Sequence, residues 1–114
     1  MKHLFVPYEL ALLAKEKGFD EPCFGFYNLF TDEFCYNSAP STFSSKDVLQ
    51  APLYQQLVDW FRKEFEIYIQ VIHYDAGHFE WTIKQGKKFR YPHTTFTSYY
   101  EALNSALTKS FELI

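Results

Sequence analysis

Residues 52–91 constrain the fold most, because their large apolar side chains recur first at helical spacing and then at every second position. Aromatic residues make up 21% of the chain, and in this segment they fall at positions that share one face. Pro52 begins a helix in which Trp60 and Phe61 lie on the same broad apolar side. From Ile67 the period changes to two, which is typical of a strand. The segment therefore predicts a core-facing helix followed by strands.

Two turn signals divide the following residues into three antiparallel strands. Residues 75–77 form the first turn and residues 85–87 the second, and Pro92 ends the third strand. The last helix begins with a capping box, in which the Ser98 hydroxyl accepts from the Glu101 N–H and the Glu101 carboxylate accepts from the Ser98 N–H. Apolar residues then continue at helical spacing, which predicts a second core helix.

The N-terminal half predicts a helix, a hairpin and a connection. Pro7 suits the first helical position, and Gly18 ends the helix. Residues 23–28 and 34–37 are rich in aromatics and predict a β-hairpin around a polar turn. Residues 38–50 are rich in Ser, Thr, Ala and Pro, which is the composition of a connecting loop.

The length of 114 residues suits one hydrophobic core. With 47% hydrophobic and 22% charged residues, the chain has the composition of a globular protein. We therefore predict a single α+β domain over residues 1–114, with three main helices and an antiparallel sheet of about five strands. Its C-terminal part is an α-β-β-β-α unit, and the sequence leaves open whether the N-terminal hairpin joins the same sheet.

The chain lacks the features of exported and membrane proteins. Residues 1–7 contain no basic stretch followed by an apolar run, and no apolar run approaches the roughly 18 to 20 residues that cross a bilayer. Cys23 and Cys35 are too few and too far apart for a disulfide framework, which fits a reducing compartment. The sequence predicts a soluble cytoplasmic protein with thiol cysteines and no membrane partner.

One group of residues suggests a metal site. His73 and His78 flank the first predicted turn with Asp75 between them, and Glu80 points to the same side as His78. Two imidazoles and a carboxylate are ligands that divalent metals accept, and such a set would suit a metal-dependent hydrolase. The same residues also fit ordinary turn positions without a metal, because the sequence fixes no further His or Cys nearby.

Other catalytic arrangements are disfavoured. Cys23 or Cys35 would need His3 or His93 beside it to act as a nucleophile, and sequence spacing does not bring them together. The four glycines are scattered, so they do not form a glycine-rich phosphate loop. We predict no catalytic residues and no cofactor.

The one basic cluster of the sequence comprises Lys84, Lys87, Lys88 and Arg90, among eleven cationic residues in all. With Tyr91 beside them, these side chains would suit a nucleic-acid backbone and a stacked base. Lysines also guard edge strands against aggregation, which explains the same residues without a ligand. The net charge of −3 disfavours nucleic acid as a partner.

Short motifs in the C-terminal 65 residues resemble those of small uncharacterised proteins of phage or mobile-element origin. The motifs are Tyr-x-Gln followed by Trp-Phe-Arg in residues 54–62, and Tyr-Glu-Ala in residues 100–102. This resemblance implies an α+β fold and an accessory role. The order helix, three strands, helix is also similar to that of a double-stranded-RNA-binding domain. The last helix of that family begins with a basic stretch, whereas residues 97–101 carry no cation and the next one is Lys109.

Tyrosines provide a possible protein-binding surface. Tyr27, Tyr36, Tyr68 and Tyr74 are expected on the sheet face opposite the main helices, where tyrosine is a favoured anchor for protein partners. The N-terminal elements of the same chain, or a second copy, would cover that face. We therefore predict a small non-enzymatic interaction module or accessory protein that forms a homodimer. A nucleic-acid-binding protein is the first alternative, and a metal-dependent hydrolase is the second.

Overall fold

The computed structural model of the protein describes residues 2–36, 48–74 and 77–114. These residues form three α-helices and two separate antiparallel sheets of three strands each. The predicted α+β class and the three main helices are confirmed, whereas the expected sheet of about five strands is replaced by two smaller sheets. The chain forms two compact units, Met1–Leu57 and Val58–Ile114. The assignment of one domain to residues 1–114 stays a prediction.

Helix α1 (Tyr8–Glu16) opens the first unit after a short 3-10 turn. Pro7 is its N-cap and not its first helical residue, because its backbone is extended while its carbonyl accepts from the Ala11 N–H at 3.0 Å. Gly18 follows the helix with a φ of +95°, a conformation that glycine adopts without the steric penalty of a Cβ. The buried side of α1 consists of small and aliphatic residues and packs near the third strand of this unit.

The sheet of the first unit has the order β2-β1-β3, with β1 (Gly25–Asn28), β2 (Phe34–Tyr36) and β3 (Val48–Ala51). The predicted hairpin is confirmed, because β1 and β2 pair with Tyr27 opposite Phe34. The interpretation of residues 38–50 as a connecting loop is wrong at its end. Residues 48–50 belong to β3, which pairs with β1. The rest of that predicted loop lies outside the described residues.

Helix α2 (Tyr54–Phe65) begins in the first unit and continues into the second. It starts later than predicted, because Leu53 still forms a β-bridge with Phe5 while its carbonyl accepts from the Leu57 N–H. Glu66 ends the helix with a φ of 54°. Its N–H donates to the Arg62 carbonyl at 3.2 Å, which satisfies one of the last helical carbonyls.

The second unit continues with β4 (Ile67–His73), β5 (Phe79–Gln85), β6 (Lys88–Arg90) and α3 (Tyr99–Glu112). The sheet order is β4-β5-β6, so the predicted α-β-β-β-α order is confirmed. Ser98 caps α3 as expected, because its hydroxyl accepts from the Glu101 N–H at 3.1 Å. The second half of the capping box is different, since the Glu101 carboxylate accepts from the Thr97 hydroxyl.

Aromatic side chains of α2 and α3 fill the core of the second unit. The ring centroid of Phe111 lies 4.8 Å from that of Phe61 and 6.3 Å from that of Trp60. Helix α3 packs against β4 and β5, and the Trp81 indole N–H donates to the Ser105 hydroxyl at 3.0 Å. The predicted core positions are therefore confirmed for both tryptophans, which are buried. Within the described parts of the chain, no helix combines the length and apolar character needed to cross a bilayer.

Candidate binding face of the second sheet

The sheet of the second unit has one face that its helices do not cover. Side chains of paired residues in an antiparallel sheet share a face, so the pairs Tyr68–Lys84 and Lys84–Phe89 place these three side chains together. Trp81 lies between Glu80 and Thr82 in β5, so its side chain is on the opposite face, where it is buried and contacts α3. We call the uncovered side the outer face. It consists of Tyr68, Gln70, Ile72, Glu80, Thr82, Lys84 and Phe89.

A shallow groove of about 270 Å³ runs along the outer face. Two aromatic rings are exposed there, with 48% of Tyr68 and 55% of Phe89 accessible to solvent. Lys84 lies between them in the register, since it pairs with Tyr68 on one side and with Phe89 on the other. The groove is lined by Tyr68, Ile69, Gln70, Thr82, Lys84 and Phe89.

The structure divides the predicted basic cluster between two sides of the sheet. Lys84 lies on the outer face, and Lys87 lies in the turn between β5 and β6. Lys88 pairs with Gln85 and Arg90 pairs with Ile83, so both fall on the helix-facing side. The Nε of Arg90 is buried and has no hydrogen-bond partner among the described residues. The four cations therefore do not form one surface, although their role in binding stays a prediction.

The predicted metal-ligating residues are separated in a similar way. His73 stacks on the ring of Phe79, with centroids 4.7 Å apart, and these two residues pair across β4 and β5. Glu80 lies on the opposite, outer face, and His78 is exposed just before β5. Asp75 is outside the described residues. Within residues 2–36, 48–74 and 77–114, no three His, Cys, Asp or Glu side chains lie close enough to hold a metal ion.

The predicted tyrosine surface is only partly assembled. Tyr68 is on the outer face, and Tyr74 is exposed just after β4. Tyr27 is instead buried in the first unit, where its hydroxyl donates to the Val6 carbonyl at 2.9 Å and its ring meets Tyr8 edge-on. Burial raises the pKa of Tyr27, and the negative charge of Glu9 adds to the shift. The side chain of Tyr36 lies outside the described part of the structure.

The environment of Cys23 opposes a nucleophilic role. Its thiol donates to the Glu21 carbonyl with a sulfur–oxygen distance of 3.3 Å. Burial raises the pKa of Cys23 to about 12, and the negative charge of Glu21 contributes to the increase. The thiolate is the reactive form, and the raised pKa disfavours it at neutral pH.

Sequence reasoning missed the exposed ring of Phe89, since the aromatics of residues 52–91 other than Tyr68 and Tyr74 were expected to face the core. A signal for its position was present in the turn. Gln85 pairs with Lys88 across the two turn residues, and this register places Phe89 opposite Lys84. The length of the turn therefore places Phe89 on the same face as Lys84.

A second cavity, of about 250 Å³, lies in the first unit. Its walls come from α1, the segment after it and β3, and they include Lys15 and Asp20.

The outer face offers two rings for stacking, one ammonium group, and amide and hydroxyl groups that donate and accept hydrogen bonds. Groups of this kind are common in surfaces that bind a partner. The chain matches no protein-family model, no curated protein and no solved structure.

Proposed function

We propose that the protein is a small non-enzymatic interaction module that associates with itself through the β4-β5-β6 sheet. The observation that carries this proposal is the exposed ring of Tyr68 on a sheet face that the helices of its own unit leave uncovered. The resemblance to small accessory proteins of phage or mobile-element origin agrees with such a role and stays a prediction.

The composition of the outer face supports a protein partner. Protein interfaces are enriched in tyrosine and phenylalanine and depleted of charge at their centre. Tyr68, Phe89 and Ile72 provide apolar area on this face, and its charged side chains are Glu80 and Lys84. Burying one such ring against a partner is typically worth one to several kcal/mol, and rings of this kind often dominate binding.

Self-association is tested by sedimentation velocity of the purified protein over a wide range of concentration. We expect a concentration-dependent shift from monomer to dimer. Replacing Tyr68 by Ser removes a ring from the interface, and we expect the dissociation constant of the dimer to rise by about tenfold, equivalent to about 1.4 kcal/mol. Because Tyr68 is half exposed in the monomer, thermal unfolding should change little.

Phe30→Ser is the matched control, because Phe30 is 78% exposed and lies in the turn between β1 and β2. It removes an exposed ring from the first unit and not from the β4-β5-β6 sheet, and we expect wild-type association. A protein that stays monomeric at every concentration would contradict the proposed function.

A second candidate is the binding of single-stranded nucleic acid, because Tyr68 and Phe89 flank Lys84 in the groove. Exposed rings on an open sheet stack with bases, and a nearby ammonium group contacts phosphate. The second unit has the order helix, three strands, helix, which is similar to that of a double-stranded-RNA-binding domain. A relationship to that family stays a prediction. The division of the basic cluster weakens this candidate, since only Lys84 of the four cations lines the groove.

Fluorescence anisotropy with a labelled single-stranded oligonucleotide at several salt concentrations distinguishes this candidate. Binding through the groove should weaken with salt, by a slope of roughly −0.7 for each phosphate neutralised. Lys84→Gln should reduce that slope by about one contact, whereas Lys109→Gln on α3 should not. The absence of binding at low salt would eliminate nucleic acid as a partner.

A further inference from the structure

The two edges of the β4-β5-β6 sheet differ in how they are protected. Strand β6 is three residues long and carries Lys88 and Arg90. Strand β4 is seven residues long and contains no Lys, Arg, Asp, Glu, Pro or Gly. Natural proteins blunt exposed edges with short strands, charges, prolines or bulges, because a long unprotected edge pairs with other chains. Among the described residues, such protection is present on the β6 edge and not on the β4 edge.

The hydrogen-bonding groups on the free side of β4 can be identified from the hairpin. The Tyr74 N–H donates to the His78 carbonyl at 2.8 Å, which makes this a hydrogen-bonded pair. Hydrogen-bonded and non-hydrogen-bonded pairs alternate along antiparallel strands, so Tyr68, Gln70 and Ile72 also direct their N–H and C=O groups towards β5. The intervening residues direct theirs outwards. In the described part of the chain, β5 is the strand that pairs with β4. The residues whose N–H and C=O groups point away from β5 are Ile67, Ile69, Val71 and His73.

We propose that β4 pairs antiparallel with β4 of a second copy, about a two-fold axis that passes beside Gln70. This inference rests on the proposed self-association and specifies its geometry. Gln70 is the central residue of β4, so this register uses the whole length of the strand. It also places the outward-directed groups of Ile69 opposite those of the partner's Val71, as a hydrogen-bonded pair requires.

Side chains agree with the same register. Tyr68 faces the partner's Ile72 on the outer side, and aromatic and β-branched residues form favourable cross-strand pairs. Gln70 faces the partner's Gln70 at the axis, where two amides can donate to and accept from each other. No like charges are brought together. The result is a six-stranded sheet in which the two outer faces form one continuous surface.

Disulfide trapping tests this geometry. In a background with Cys23→Ala and Cys35→Ala, the variant Gln70→Cys places two thiols at the axis. Directly opposite residues in a non-hydrogen-bonded pair have Cβ atoms roughly 4.5–5.5 Å apart, which lies near the range that a disulfide spans. We expect Gln70→Cys to form a covalent dimer in oxidised glutathione about ten times faster than the control Thr82→Cys.

Thr82 is a stringent control, because it pairs with Gln70 and lies on the same outer face but on the central strand. If the copies instead associate face to face, both variants should cross-link at similar rates, and Phe89→Ser should weaken the dimer. That outcome would overturn the edge-pairing proposal while leaving self-association intact. A monomeric wild-type protein would overturn both.

Charge complementation provides an independent test. Gln70 is exposed in the monomer, so Gln70→Lys and Gln70→Glu should leave its thermal unfolding nearly unchanged. Each variant alone brings like charges together at the axis, and we expect about a tenfold higher dissociation constant. Mixing the two should restore association as a heterodimer. Unchanged association of both single variants, or no recovery in the mixture, would contradict the two-fold axis at Gln70.

Discussion

Gly25 on β1 shows how a single residue fixes the packing of the first unit. A Cβ at this position would lie 2.7 Å from Cδ1 of Phe5 and 2.9 Å from Cε1 of Phe34. The two rings contact each other, with centroids 5.0 Å apart, so neither can move without disturbing its partner. We expect Gly25→Ala to lower the free energy of unfolding by about 1–3 kcal/mol, measured by chemical denaturation.

A double-mutant cycle checks the cause of that loss. Phe5→Leu shortens the closest ring and leaves space for a methyl group. In the Phe5→Leu background, Gly25→Ala should therefore cost less than it does in the wild type, and the difference is the coupling energy of the two sites. Equal costs in both backgrounds would show that steric conflict with Phe5 is not the reason.

The raised pKa of Cys23 makes the free energy of unfolding depend on pH in the alkaline range. Its pKa rises from 9.0 in a free thiol to about 12 in the folded protein. Above pH 9 the unfolded chain loses this proton while the folded protein keeps it, so the unfolded state is favoured progressively. The contribution is fully present below pH 9 and is lost as the pH rises towards 12.

We expect the free energy of unfolding to fall with pH in this window, as measured by urea denaturation. The raised pKa of Tyr27 acts in the same direction. The control is therefore Cys23→Ala, which should flatten the curve without abolishing its slope. A curve of identical shape for wild type and Cys23→Ala would contradict the assignment.

At the scale of elements, the interface between α3 and β5 contains a polar contact among apolar side chains. The Trp81 indole N–H donates to the Ser105 hydroxyl at 3.0 Å, and Trp81 is only 5% exposed. Ser105→Ala leaves this donor without its acceptor, and we expect a loss of about 1–2 kcal/mol in the free energy of unfolding. Thr108→Ala removes an exposed hydroxyl from the same helix and should change stability by less than about 0.5 kcal/mol. Similar losses in both variants would contradict a specific role for the indole contact.

Helices and strands in which apolar residues recur at a constant spacing were predictable from the sequence. Helices α2 and α3 and strands β4 and β5 each carry several apolar residues at one spacing, and their buried faces agree with that spacing. Strand β3 was not predictable, because its four residues show no clear alternation and follow a Ser-rich stretch. Its burial comes from pairing with β1, which is a contact between distant parts of the chain.

The candidate site shows the same limit. The sequence identified Lys84 and Tyr68 as surface residues, but charge clustering alone grouped Lys84 with Lys88 and Arg90. Side chains on a strand alternate between faces, so neighbours in sequence separate in space. The register of β5 with β6, set by the turn, decided which cation joined the groove.

At the scale of the whole molecule, the sequence could not show that the six strands of the described residues divide into two sheets. Periodicity reports which face of a strand is buried, whereas sheet membership depends on pairing between strands far apart in sequence. The two sheets lie in different compact units, and α2 is the continuous element that belongs to both. Unfolding one part of α2 removes hydrogen bonds from the part that remains. We therefore expect loss of α2 in one unit to lower the stability of the other.

We therefore expect the two units to unfold together. Both tryptophans, Trp60 and Trp81, lie in the second unit, so indole fluorescence reports its unfolding. Both cysteines lie in the first unit, and the thiol of Cys23 becomes more reactive once its pKa returns to that of a free thiol. Coincident midpoints by the two probes in urea would indicate one cooperative transition, and Gly25→Ala should move both midpoints equally. If Gly25→Ala shifts the thiol signal while the indole signal stays at its wild-type midpoint, the units are independent, and the prediction of a single domain over residues 1–114 is wrong.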